Sequence, residues 1–248
     1  MSGEALTARS ATRPIHHLGR VEVRKMTDTR AGLWLILLTA LSAVAAVIAD
    51  IATGDAGSHP LEDTYADAML AASVLLPIVP ILLMTSEWSQ RTALSTFALV
   101  PVRERVIGAK LLAVVALLVA VSAFSFAIAA LGTVADGGSL TISIGDSGRI
   151  VLYETLVVLF GFGLAAILMN SAAAIVLNFV TPVIIAAIGA LSAGIDDAIA
   201  WVDPSAWGAL TDATTSGGEW AKVATAALAW VVIPIVLGLV RLRRRDIA

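Results

Sequence analysis

Few residues in this chain have the type and spacing to do chemistry. The histidines are His16, His17 and His59, and cysteine is absent. His16 and His17 are adjacent on a predicted surface helix and His59 falls in an acidic loop, so no metal-ligand spacing results. There is no GxxxxGK[ST] phosphate loop, no HExxH and no GxSxG. The stretch SIGDSG has a Gly-Asp pair of the kind an intramembrane aspartyl protease uses, but it sits in a loop and no second buried Asp answers it. The expectation is therefore no catalytic residue, no metal, no cofactor on this chain, and no enzyme activity of its own. What remains is polarity set inside or beside apolar runs. Glu154 lies in one such run, where a carboxylate is a functional-site hypothesis by default. The competing account has it reach the outer interface near Arg149 or Tyr153. Asn178 lies in the next run, eight residues after Asn170, and is expected to hydrogen-bond between helices or cap a break near Pro182. The densest charged set is SEWSQRTALSTFALVPVRERVIGAK, Ser86–Lys110, with Glu87, Arg91, Arg103, Glu104, Arg105 and Lys110.

These residues must be positioned by membrane-spanning helices. Of the 248 residues 58% are hydrophobic and 14% charged, against about 25% charged in a soluble domain. Mean hydropathy is +0.91. Six apolar runs approach the roughly 20 residues that cross a hydrocarbon core. They lie near 31–51, 66–85, 106–131, 150–169, 172–194 and 223–240. Only Asn170-Ser171 divides the fourth from the fifth. One helix over the 45 residues from Ile150 to Gly194 would be about twice the thickness of the core, so two spans joined by a tight turn are expected. Strand-like alternation is missing, which argues against a β-barrel. The predicted fold is an all-α membrane protein of six transmembrane helices. Residues 1–30 form a lead and an amphipathic elbow helix, and residues 31–248 the six-span transmembrane domain.

Lys and Arg set the orientation. They cluster before the first span (Arg9, Arg13, Arg20, Arg24, Lys25, Arg30), around the second loop (Arg91, Arg103, Arg105, Lys110) and in the tail (Arg241, Arg243, Arg244, Arg245). The other loops are acidic. By the positive-inside rule both termini and the Ser86–Lys110 loop are cytoplasmic, in keeping with an even span count. The charged head before the first span is too long for a signal peptide's n-region. Residues 1–13 read as a disordered lead. From Pro14 to Arg30 a helix is predicted, with Ile15, Leu18 and Met26 on one side and Arg20, Arg24 and Asp28 on the other, lying on the membrane surface. Glu22 spoils its apolar face. Pro77, Pro80, Pro182 and Pro234 should kink their spans. Gly161, Gly163 and Ala165, and Gly189 with Ala193, form small patches suited to close helix approach.

In the second loop, the helix of span two runs on through Glu87-Trp88, a stretch with Leu94, Phe97 and Ala98 on one side follows, and Pro101 stops it. Lys110 is expected to snorkel to the inner headgroups as span three begins. The residues alone leave a docking surface and a plain topology anchor both open. The ordered set Glu87-Trp88-x-x-Arg91-Thr92, Pro101-x-Arg103-x-Arg105 and Gly108-Ala109-Lys110-Leu111 resembles the permeases of the type-2 ABC transporter family. Arg91 departs from the pattern, standing where glycine is common. The likeness extends to the basic head, six spans, a long outer segment before the last span and the tail RRRDIA.

The resemblance implies an exporter's permease subunit. Two such chains, as a homodimer or a heterodimer, would form the pathway in the plasma membrane, driven by two copies of a separate ATPase that holds ATP and Mg. The loop would be the coupling element, with Glu87, Arg91, Thr92, Leu94, Phe97, Pro101, Arg103 and Arg105 as contacts and Lys110 as inner-interface anchor. Glu154 and Asn178 would be pathway candidates. Asp196–Trp220, with Trp201, Pro204, Trp207 and Trp220, resembles the family's short outer helices, with its tryptophans at the interface. Spans almost free of charge favour a hydrophobic or amphipathic cargo, a drug or a lipid. Membrane lipid is the other implied partner and nucleic acid is not. The alternative is a non-transporting membrane scaffold or sensor.

Overall fold

A computed structural model describes residues 15–53, 57, 59–89, 103–212 and 215–244. Among them the chain is helical, without strands. Helix α1 is Ile15–Asp28, α2 Arg30–Thr53, α3 Leu61–Ser73, α4 Ile78–Ser89, α5 Arg103–Asp136, α6 Ile144–Leu168 and α7 Ser171–Gly189. Then come α8 (Ala193–Ile199), a 3₁₀ segment at Pro204–Thr211, α9 (Gly217–Ala227), a π turn at Leu228–Val232 and α10 (Ile233–Arg244). Among the described residues, six helical stretches are long and apolar enough to cross a membrane: Arg30–Thr53, Leu61–Glu87, Arg105–Asp136, Ile144–Leu168, Ser171–Gly189 and Gly217–Arg243. This is a multi-pass membrane protein. Residues 1–13, Arg91, Thr92, Leu94, Phe97, Pro101 and the last four residues of the tail lie outside the described set, as does the side chain of Arg103.

The second and fourth spans are the most enclosed, with 61% of their most apolar windows buried against 17–28% for the other four. They form the centre of the bundle, and the remaining spans expose apolar side chains such as Leu41, Val119 and Val183. In lipid those faces need no protein cover.

The prolines act where the sequence places them. Pro77 and Pro80 cannot donate, and the second span breaks between α3 and α4. The Leu76 carbonyl that Pro80 would have bonded instead accepts from the Val79 N–H at 3.2 Å. Pro234 would leave the Trp230 carbonyl without its helical donor, and the π turn at Leu228–Val232 widens the helix over that stretch. Pro182, by contrast, is carried within α7 without ending it.

Spans four and five part as the Asn170-Ser171 tick predicts. Met169 takes a left-handed φ of 51° and its N–H closes α6 on the Ala165 carbonyl. The Asn170 side chain then caps α7 by accepting from Ala173 N–H at 3.0 Å. The spans are offset from their expected bounds. The second starts at Leu61 because Glu62 and Asp63 fit a helix N-terminus. The fourth starts at Ile144, where the Ser143 side chain accepts from Asp146 N–H. The fifth ends at Gly189, which packs against Asp196 of α8, rather than at Gly194.

Small residues let backbones meet. A Cβ on Gly161 of α6 would lie 3.1 Å from the Pro77 carbonyl oxygen and 3.1 Å from Asn178 Oδ1. A Cβ on Gly238 of α10 would lie 2.5 Å from Ala166 Cβ and 2.9 Å from the Ala166 carbonyl carbon. The predicted patch on span four is thus a helix-packing surface. Trp207 departs from expectation. Instead of sitting at an interface it is buried, edge-to-face with Phe160 at 5.8 Å, while Trp230 meets the same ring at 5.6 Å. Trp201 and Trp220 are exposed.

Candidate functional site

Two buried polar sites stand out. The first lies where α1, α4 and α5 meet, at the end of the bundle that carries the basic residues. Lys110 is 1% exposed. Its ammonium donates to Glu87 Oε1 at 2.8 Å, to Glu22 Oε2 at 3.1 Å and to the Leu83 carbonyl at 2.7 Å. Three donors meet three acceptors, the full capacity of a lysine. Lys25 closes the figure, 2.6 Å from Glu22 Oε1 and 3.0 Å from Glu87 Oε1. Positive and negative groups therefore alternate around a ring, Lys110–Glu22–Lys25–Glu87, with no net charge. Burial alone would pull the pKa of Lys25 down. The hydrogen bond to Glu22 and the charges of Glu87 and Glu22 outweigh it and hold Lys25 above the usual lysine value.

This arrangement corrects two expectations. Lys110 does not snorkel to headgroups. Its stem stays within the helices because two carboxylates and a carbonyl are nearer than water. Nor does Glu22 spoil an apolar face. Gly19, Glu22 and Met26 together form the face of α1 turned inward, while Val21 is 52% exposed. Gly19 rests on Leu112 and Ala109 of α5. The misfit of Glu22 with the apolar pattern was the signal for its partner. Lys25, assigned only to topology, was missed as part of the same ring. Of the predicted coupling residues, Glu87 belongs to the ring and half-buried Arg105 lies one turn before Lys110 on α5.

The second site is Glu154. It is 0% exposed, and neither carboxyl oxygen has a hydrogen-bond partner among the described residues. Because α6 begins at Ile144 rather than Ile150, Glu154 lies about 15 Å along the helix. Its carboxyl is enclosed by protein, and Arg149 is not its counter-ion, being paired with Asp146. The phenols of Tyr65 on α3 and Tyr153 on α6 lie within electrostatic range of the carboxyl. Tyr65 hydroxyl is 2.7 Å from Ser122 Oγ on α5, and its ring packs edge-to-face on Phe126 at 5.9 Å. Asn178, expected to hydrogen-bond between helices or cap a break near Pro182, is buried as well. Asn178 Oδ1 has no partner among the described residues and lies close beside Gly161.

At the acidic end an open cavity of about 200 Å³ is lined by Glu62, Asp63, Asp146, Arg149 and Asp212, with Ile150 among its apolar walls. Nearby the carboxyls of Asp50 and Asp67, not singled out in the sequence, approach each other. No group of residues suited to a metal ion occurs among the described residues. No protein-family model matches the chain, and no curated protein matches it.

Proposed function

We propose that the chain is the membrane permease subunit of an ATP-driven exporter of the type-2 ABC kind, working as a dimer of permease chains with two copies of a separate ATPase. Its termini and the 90–102 segment face the cytoplasm, and it resides in the plasma membrane. The observation that supports this is the buried charge ring. Glu87 stands just before that segment and Lys110 just after it, and both are bonded to each other and to α1. A segment that receives force from a partner must have stiff roots. Three buried charges and the half-exposed Lys25, mutually paired on three helices, supply them, whereas a topology signal needs only exposed basic residues. The cargo is a hydrophobic or amphipathic molecule, in keeping with spans whose interior polar groups are few.

Docking rests on Leu94 and Phe97 as apolar anchors, with Arg91, Thr92, Arg103 and Arg105 at the rim and Pro101 as the stop. Central apolar anchors carry most of a small interface's energy, while rim charges tune rate and salt dependence. Pull-down of the ATPase at matched expression tests this. Phe97→Ala should lower recovery more than Arg103→Ala, with the amount of permease in the membrane unchanged. Equal recovery in wild type and both variants would leave the scaffold or sensor alternative standing.

A further inference from the structure

Glu154 is the one fully buried carboxyl of the described spans that nothing above uses. Ionised, it would be a charge enclosed by protein within a lipid-embedded bundle, with no donor on either oxygen. An unpaired charge there costs several kcal/mol at least. Neither Arg149 nor Lys110 neutralises it. Arg149 is bound to Asp146, over one turn away towards the acidic end, and Lys110 has all its donors committed in the ring. From α3 the facing titratable group is Tyr65, and from α6 itself Tyr153. From α5 the neighbour of Tyr65 is the neutral Ser122. Glu62, Asp63 and Asp212 line the cavity further out and are themselves acidic, so they add negative potential. Glu154 does not line that cavity, and a proton is the one cation that needs no ligand beyond the carboxyl itself.

We propose that Glu154 is an intramembrane proton-binding site, occupied as the neutral carboxylic acid at neutral pH. The proton leaves only when α3 and α6 separate enough to admit water, because only then is the carboxylate solvated. Release is therefore tied to a rearrangement of the two most enclosed spans. This does not rest on the exporter reading, and it is tested on the purified chain without any ATPase.

Infrared spectroscopy of the full chain in lipid nanodiscs at neutral pH reads the protonation state. The expected result is a protonated-carboxyl C=O band that moves on incorporation of carboxyl-¹³C glutamate, is lost in Glu154→Gln and is shifted in Glu154→Asp. The isotope arm needs no substitution, so a variant that fails to fold does not remove the test. A carboxyl band unmoved by labelled glutamate would overturn the proposal, as would one retained unchanged in a folded Glu154→Gln.

Discussion

At the basic end, Glu22 and Glu87 are buried with every oxygen occupied; inside α6, Glu154 is buried with neither oxygen occupied. The chemistry of the groups is the same, so the difference lies in the surroundings. The ring draws its partners from α1, α4 and α5, and each ammonium is shared between two carboxylates. Around Glu154 the facing titratable groups are the tyrosines Tyr65 and Tyr153. A complete ring resists opening, because any movement of α1, α4 or α5 strands a charge. An unpartnered carboxyl has the opposite property, since gaining water or a cation relieves it. The first suits a fixed strut and the second a position that changes state.

The sharpest way to break this comparison is to remove one member of the ring. Lys110→Met keeps the stem and deletes the charge, leaving Glu22 and Glu87 buried beside each other with only Lys25 between them. A loss of about 3–5 kcal/mol is expected, read as a lower melting temperature in detergent and reduced membrane level. Glu87→Gln on the Lys110→Met background should recover part of that loss, because the stranded charge goes with it. A melting temperature unchanged in Lys110→Met would show that the ring is not a strut.

Packing further along α6, about three turns beyond Glu154, gives the next effect. Gly238→Leu forces a side chain into Ala166 and its backbone, and so pushes α10 off α6. Overpacking of this kind costs about 1–3 kcal/mol. Ala166→Gly should restore some of the stability if the crossing is what suffers, measured by melting of the double variant. Glu154→Gln should cost less, under about 1 kcal/mol, because the amide has nearly the shape of the acid and leaves equally few bonds behind. A loss as large as that of Lys110→Met would mean that Glu154 is charged and paired after all.

How much of this was legible follows from what a sequence displays. Six spans and the split at Asn170-Ser171 were readable, because apolar length and a polar tick report directly on the bilayer. The kink at Pro77 was readable because proline acts locally. The ring was not, since it joins residues 22, 25, 87 and 110, and no local pattern links them. Only the misplaced Glu22 hinted at a partner. Glu154 stands out in the sequence, but its enclosure by protein does not, because the apolar run begins at Ile150 while the helix begins six residues earlier, through the Ser143 cap. Trp207 was assigned to an interface on residue type, and Phe160, distant in sequence, draws it inward.

The smallest effect separates the two halves of the ring itself. Lys25 touches the same two carboxylates as Lys110, but its side chain is 34% exposed while that of Lys110 is 2% exposed. Water competes for its ammonium, so Lys25→Met should cost only about 0.5 kcal/mol, in the range of solvent-screened pairs. The pH dependence fixes the sign. The pKa of Lys25 is raised in the folded chain, so the folded state holds its proton more tightly than the unfolded one. The stabilisation is then fully present below the ordinary lysine value of about 10.4 and is lost as pH rises through the folded value. The gap in stability between wild type and Lys25→Met should therefore stay constant from neutral pH to about pH 10 and shrink beyond it, measured by melting across an alkaline series. High salt should narrow the same gap near neutral pH, because the exposed half of the ring is open to screening, while the gap for Lys110→Met should hardly respond. If salt weakens both alike, the ring is solvated throughout, and its contrast with Glu154 is one of bonding and not of burial.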